Sequence, residues 1–175
     1  MNRAPIVLGA ALAVFMPMNL APGFAKDNTL PRTMHLEKVL PQITRATGSF
    51  SAINGTKRSF DVALRTTWDG KTLTLVEDFA FDDGEKDRKT WRFTKTGENT
   101  YVGTREDVIG QTTLTVNGKR ATFAYNVYLD SKNQANKVRF HDTLVLQDDG
   151  SVLNTAIVWK WGLPVAKVVV DFKAP

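Results

Sequence analysis

The sequence contains no cysteine, which excludes disulfides, thiol catalysis and cysteine-ligated metals together. Histidine is nearly as scarce, with His35 and His141 the only two. His141 adjoins Asp142, but neighbouring side chains on a strand point to opposite faces, so the two are not expected to share a site. No metal or other cofactor is therefore expected. Glycine-rich phosphate loops and serine-nucleophile elbows are also missing. The one strongly apolar run, Ile6 to Phe15, is shorter than the roughly 20 residues that span a bilayer. The formal charge of +5 is modest and scattered. Nucleic-acid binding needs clustered Lys and Arg with stacking aromatics on one face, and no such stripe is visible.

What is present begins with a targeting signal. Arg3 supplies a short positive region ahead of the apolar run, and Pro17 follows it. Gly23 and Ala25 then occupy the −3 and −1 positions of a cleavage site after Ala25. Residues 1–25 are thus expected to be a signal peptide, which places the mature chain in the periplasm or outside the cell. A bacterial lipoprotein needs an acylated cysteine at that cleavage site, so lipid anchoring is not expected. Residues 26–45 form a lead-in in which Thr33 caps a short helix running towards Leu40, with Glu37 in its first turn and Pro41 at its end.

From about Phe50 the apolar pattern takes period two and keeps it. Phe60, Val62, Leu64, Thr66 and Trp68 alternate with polar or small residues, and Asp69-Gly70 reads as a two-residue type I′ hairpin turn. The same alternation recurs through Leu73–Phe81, Lys89–Phe93, Thr100–Val108, Leu114–Val116, Ala121–Leu129, Val138–Leu146, Ser151–Trp161 and Val165–Phe172. Asn117-Gly118 offers a second I′ signal. Residues 130–137 are polar, carry no turn motif and are expected to be the most mobile segment. About nine strands joined by tight turns make a meander, because short connections keep sequence neighbours adjacent in space. Residues 46–175 are accordingly expected to form one all-β domain, an antiparallel up-and-down barrel that abolishes exposed edges by closing. The alternative, an open sandwich, would need the 130–137 loop as its crossover.

Charges on the apolar face of a strand are the informative exceptions. Glu77 stands between Leu75 and Phe79, and Asp142 between Phe140 and Leu144; Tyr125 holds a similar place between Phe123 and Val127. A lone buried carboxylate costs several kcal/mol, so each must be paired, neutral or turned to an internal cavity. Arg88, Arg92, Arg105 and Lys160 are the candidate partners. Two readings stand side by side: a ligand pocket whose polar end these groups orient, or a structural ion-pair network. Two carboxylates in one dry site could also divide acid and base roles. Trp159 and Trp161 lie two residues apart beside Gly162 and Pro164, where they are expected to plug or rim the barrel.

Leu75, Glu77, Phe79, Phe81, Asp83-Gly84-Glu85, Arg88 and Trp91 resemble the central signature of the bacterial domain of unknown function 3833 family. Tyr101, Gly103, Asp107-Val108 and Gly110 are similar to its next block. Asp142, Gly150, Leu153-Asn154, Trp161-Gly162, Val165 and Phe172 are similar to its C-terminal block. The resemblance covers roughly residues 46–173. It implies a calycin-like, or lipocalin-like, barrel in the proteobacterial cell envelope and no settled activity. Many relatives resemble lipoproteins, a pattern from which this sequence departs in lacking the cysteine. Family genes often neighbour fatty-acid-modifying enzymes, which implies an acyl lipid or similar apolar ligand. Glu77, Arg88, Trp91, Asp107 and Asp142 occupy the motif positions.

The expectation is thus an exported barrel that binds a small apolar or amphipathic, lipid- or fatty-acid-derived ligand. Glu77, Arg88, Trp91, Asp107, Tyr125 and Asp142 are its candidate ligand-binding residues. No nucleic acid and at most a peripheral membrane contact are expected, and the oligomeric state stays open. The alternatives are an isomerase- or cyclase-like enzyme on the same scaffold, using a carboxylate as proton shuttle, and an envelope interaction protein with a filled core.

Overall fold

The computed structural model describes residues 33–129 and 136–174. The expected signal peptide, the first part of the lead-in and residues 130–135 of the polar loop lie outside the described residues. A short helix, α1 (Leu36–Val39), runs into a 3₁₀ turn at Leu40–Gln42. Its N-cap is His35 rather than Thr33, and no side chain caps it. Pro41 sits early in the 3₁₀ turn, where its missing N–H removes no helical bond.

Ten antiparallel strands follow among the described residues: β1 (Arg45–Ala52), β2 (Lys57–Trp68), β3 (Thr72–Phe81), β4 (Lys86–Gly97) and β5 (Thr100–Thr104), then β6 (Thr112–Asn117), β7 (Arg120–Tyr128), β8 (Lys137–Leu146), β9 (Val152–Lys160) and β10 (Leu163–Phe172). Each pairs with its sequence neighbour, and β1 also pairs with β10, so the up-and-down sheet is a closed barrel. The strand beyond the expected nine is β1. Its inward positions are Ala46, Gly48 and Phe50, too small a set to stand out as an apolar stripe. Ala46 pairs with Val62 on one side and Phe172 on the other, which closes the cylinder.

The turns differ in detail from expectation. Asp69, Gly70 and Lys71 form a three-residue connection in which Gly70 alone has positive φ. Asp69 Oδ1 accepts hydrogen bonds from the backbone N–H of Lys71 (2.8 Å) and Thr72 (2.7 Å). At the β6–β7 turn the two loop residues are Gly118 and Lys119, with positive φ only at Gly118, the pattern of a II′ rather than a I′ turn. The I′ pattern of two positive φ values occurs at Trp161-Gly162.

Alternation aims the apolar residues inward. Val62, Leu64, Leu73, Leu75, Phe93, Leu114, Val127, Leu144 and Val158 are all buried. Outside, mid-strand charges such as Asp61, Arg65 and Arg92 are exposed. A lipid-facing barrel wall requires the reverse arrangement. One end of the barrel is sealed by the N-terminal segment, whose Met34, Leu36, Val39, Leu40 and Ile43 are buried. Two clasps hold this floor: Met34 N–H donates to the Gly118 carbonyl (2.8 Å) and Leu64 N–H to the Thr44 carbonyl (2.9 Å). The opposite end carries the β1–β2, β3–β4, β5–β6, β7–β8 and β9–β10 connections and forms the mouth.

Gly48 makes the wall at β1 thin enough for the Phe60 ring to lie across it. A Cβ at this position would stand 2.3 Å from that ring and 2.9 Å from the Val169 carbonyl oxygen. Gly48→Val is therefore expected to destabilise the fold by about 1–3 kcal/mol through overpacking. Chemical denaturation midpoints check this; an unchanged midpoint would mean that the seam yields freely.

Candidate functional site

The barrel encloses a cavity of about 610 Å³. Leu36 and Leu40 form its floor, and aromatic side chains contribute a large part of its wall. Strands β4, β7 and β8 bring Trp91, Phe93, Phe123, Tyr125 and Phe140 together as one continuous surface. Trp91 stands edge-on to Tyr125 with 5.0 Å between centroids, and Tyr125 stacks on Phe140 at 5.2 Å. Phe60, Phe79 and Phe81 cluster nearer the mouth, where the Arg58 guanidinium covers Phe81 at 4.0 Å.

A polar cluster interrupts this wall. Glu77 and Asp142 are 8% and 5% exposed, the two buried carboxylates among the described residues. Asn154 Nδ2 donates to Asp142 Oδ1 at 2.8 Å. The remaining oxygens, Asp142 Oδ2 and Asn154 Oδ1, are buried without a hydrogen-bond partner among the described residues. Arg105 enters where β5 ends and the chain turns inward. Its guanidinium lies 4.8 Å from the Trp91 ring centroid and 5.1 Å from that of Tyr125. Arg105 Nε donates to Asp107 Oδ1 at 2.6 Å, and Lys89 Nζ bridges to Asp107 Oδ2 at 3.1 Å and Asp87 Oδ2 at 3.0 Å.

These groups set each other's ionisation. Burial pushes Glu77 up from 4.5 to about 7; Arg105 pulls it back in part, while Asp142, Glu106 and Asp107 push further. Burial likewise raises Asp142 from 3.8 to about 6 against the Asn154 hydrogen bond, Arg105 and the nearby Tyr125 hydroxyl. Tyr125 is held well above its ordinary range by burial and the adjacent Asp142. Asp107 behaves oppositely: burial opposes its charge, but Arg105 and Lys89 outweigh burial and lower its pKa. The cavity thus holds one tightly paired cation–anion cluster and two carboxyl groups that take up protons near neutral pH.

The structure brings together Glu77, Trp91, Asp107, Tyr125 and Asp142, all of which line the cavity. Arg88 does not join them. It pairs across the sheet with Asp78, and both side chains point outward, where Arg88 Nε donates to Asp78 Oδ1. Its place inside belongs to Lys89, opposite Glu77. Arg92 is exposed on the outer face, and Lys160 turns outward to Asn136 Oδ1 (3.2 Å). Of the four candidate cations, Arg105 alone approaches Glu77 and Asp142.

Lys89 and Asn154, neither of them among the expected ligand-binding residues, also line the cavity. Lys89 shares strand parity with Trp91, so its inward face was readable. Neither Trp159 nor Trp161 plugs the barrel, but Trp161 does stand on its rim. Trp159 is half-buried on the outer wall beside His141 (centroids 6.0 Å apart), and Trp161 stands in the open at the β9–β10 turn.

The chain matches, over residues 22–174, the model of a family described as "Protein of unknown function (DUF3833)". No curated protein and no solved structure gives a significant match.

Proposed function

Since the chain belongs to the DUF3833 family, whose role is undefined, its function has to be read from the barrel, and we propose that it binds a small amphipathic, lipid-derived molecule in the cell envelope. The observation that carries this reading is the cavity itself. Its volume of about 610 Å³ falls in the range of small-molecule sites, and its wall is aromatic and aliphatic with one convergent polar cluster. A filled structural core would leave neither the space nor the unpartnered acceptors Asp142 Oδ2 and Asn154 Oδ1.

Those acceptors also bear on the ligand's polar end. Arg105 is already committed to Asp107, while a hydrogen-bond donor at the head group would satisfy the orphaned oxygens. A hydroxyl or amine head suits this lining better than an ionised carboxylate, which would meet Glu77 and Asp142 as like charges. The aromatic wall takes the apolar tail.

Native mass spectrometry of gently purified protein, followed by organic extraction and lipid analysis, tests the reading. A co-purifying amphiphile near unit stoichiometry is the expected result. A clean ligand-free mass that stays unchanged after challenge with long-chain alcohols, amines, fatty acids and phospholipids would sink it. Ala156 lines the cavity and is buried, so Ala156→Phe should project a ring into the ligand space. It is expected to weaken binding about tenfold or more, with the β-sheet circular dichroism spectrum preserved.

One observation favours a catalytic variant of the same site. Glu77 and Asp142, with pKa values of about 7 and about 6, hold protons at the pH where acid–base chemistry runs. A co-purified ligand that the protein converts on incubation, with turnover lost in Asp142→Asn, would move the assignment from carrier to enzyme.

A further inference from the structure

Large apolar side chains are distributed unevenly over the outside of the barrel. Six are markedly exposed among the described residues, and five of these stand on connections or strand ends at the mouth. Ile53 (78%), Leu163 (64%), Trp161 (84%) and Leu129 (65%) follow one another around the rim from the β1–β2 turn to the end of β7. Ile109, at 37%, continues the arc across the β5–β6 connection. The sixth, Leu153, lies near the sealed end.

Trp161 has a second peculiarity. It is the only non-glycine among the described residues with positive φ, at 51°. A bulky aromatic in the left-handed region is disfavoured, and Asn or Gly would make the same turn with less strain. The turn therefore displays a tryptophan at a conformational cost that packing does not repay, since the ring is almost fully exposed.

The charge beside the Trp161 stretch of this arc is of one sign. A cleft of about 330 Å³ opens on the outer wall directly below Trp161, lined by Lys137, Arg139, Lys160, His141 and Trp159, with no carboxylate among its described lining residues. Lys160 Nζ lies 4.6 Å from the Trp161 ring centroid. Carboxylates gather instead farther round the rim: Asp83 and Glu85 in the β3–β4 turn pair with Arg58, and Glu106 and Asp107 stand on the β5–β6 connection.

We propose that this side of the mouth docks on the surface of a bilayer containing anionic phospholipid. Trp161, Leu163, Ile53 and Leu129 enter the interfacial region, and the Lys137–Arg139–Lys160 cleft takes lipid phosphate. Tryptophan and long basic side chains are the residues that settle at headgroup depth. Charge complementarity favours this occupant over a second copy of the chain, because a two-fold contact would bring the same basic cleft against itself. Isolated side chains on separate turn tips suit insertion between lipids better than they suit a continuous protein interface. The acidic β3–β4 turn then tilts away from the surface, and the cavity mouth opens along the membrane. An apolar ligand could pass between leaflet and barrel with little exposure to water.

Flotation of the full, ligand-free protein with vesicles of phosphatidylcholine alone, or mixed with phosphatidylglycerol, is the direct test. It reads docking with no cavity ligand present, so it can fail independently of the carrier reading. Flotation is expected with the mixed vesicles, weakened by high salt. Trp161→Ser combined with Leu163→Ser is expected to reduce it about tenfold, and Lys137→Gln with Lys160→Gln by a similar factor. A cysteine-free chain also permits single-site labelling. An environment-sensitive fluorophore at Leu163→Cys should shift to the blue on the mixed vesicles, and one at Leu153→Cys should not. Absent flotation, flotation of both paired variants as complete as that of the wild type, or equal shifts at the two labels would overturn the proposal. So would a sedimenting dimer that the Trp161→Ser, Leu163→Ser pair dissociates, because the rim would then be a self-association surface.

Discussion

Lowering the pH from about 8 to about 5 is expected to stabilise the fold, against the usual direction for a protein rich in ion pairs. The cause is the buried carboxyl pair. Between its ordinary value of 4.5 and its folded value of about 7, Glu77 carries a proton in the native state and none in the unfolded chain. Asp142 does the same between 3.8 and about 6. The native state thus binds more protons than the unfolded state, so the unfolding free energy falls as pH rises through this window. Each displacement corresponds to ~3 kcal/mol. Because Asp142 itself raises Glu77, the two effects are coupled and amount to less than their sum.

Glu77→Gln keeps the shape and removes the charge. It is expected to raise stability at pH 8 by roughly 2 kcal/mol, after allowing for an amide that must itself be buried, and to flatten the profile between pH 5 and 8. Urea titrations at several pH values check both features. Stability that climbs from pH 5 to 8, or a variant with the wild-type profile, would show that a neighbouring cation holds Glu77 ionised. The trend reverses in stronger acid. Carboxylates lowered by their partners, among them Asp107 and Glu37, give stability that is present at neutral pH and lost as pH falls through their depressed pKa values.

Glu37→Ala is expected to be the most damaging single change at the sealed end, at about 3–4 kcal/mol. One carboxylate in α1 ties two strands to the floor. Glu37 Oε2 accepts from the Tyr101 hydroxyl at 2.5 Å, and Oε1 from Lys95 Nζ at 2.6 Å. Burial opposes its charge, but Lys95 and Tyr101 outweigh burial and keep it ionised. Tyr101 is wholly inaccessible, so removing Glu37 strands its hydroxyl in a dry interior while also releasing Lys95. Tyr101→Phe should cost less, about 1–2 kcal/mol, because Glu37 keeps Lys95. A double-mutant cycle between the two positions isolates the coupling. Hydrogen exchange should report faster opening of the 34–43 segment in Glu37→Ala, since its apolar packing and two backbone links would remain without the carboxylate tie.

Strict alternation made the barrel and half of its polar cluster legible. Glu77, Tyr125 and Asp142 each interrupt an otherwise apolar parity set, and all three face the cavity. The same rule, applied to Arg88, would have sent it outside: it differs by one position from Trp91's inward set, and the pairing of Asp78 with Arg88 confirms the parity. Arg105 was harder to place. It follows the end of β5, where pairing lapses until the isolated bridge of Val108 with Val127, and parity says nothing once the strand has ended. β1 escaped notice because Ala46 and Gly48 offer no apolar contrast. The helix cap was misplaced because Thr33 is a good capping residue by type, yet tertiary burial of Met34 and Leu36 decides where α1 begins.

The seam between β1 and β10 bears on how the chain reaches its native state. Every other pairing in the barrel is a hairpin that can zip locally, whereas Ala46 meets Phe172 only after nearly the whole described chain has been laid down. That contact carries the largest loop-closure entropy in the molecule, so it forms late and sets the pace of folding. Before it forms, the curled sheet exposes two unpaired margins capable of recruiting another chain. The same junction is where a partly opened molecule would exchange its terminal strand with a neighbour.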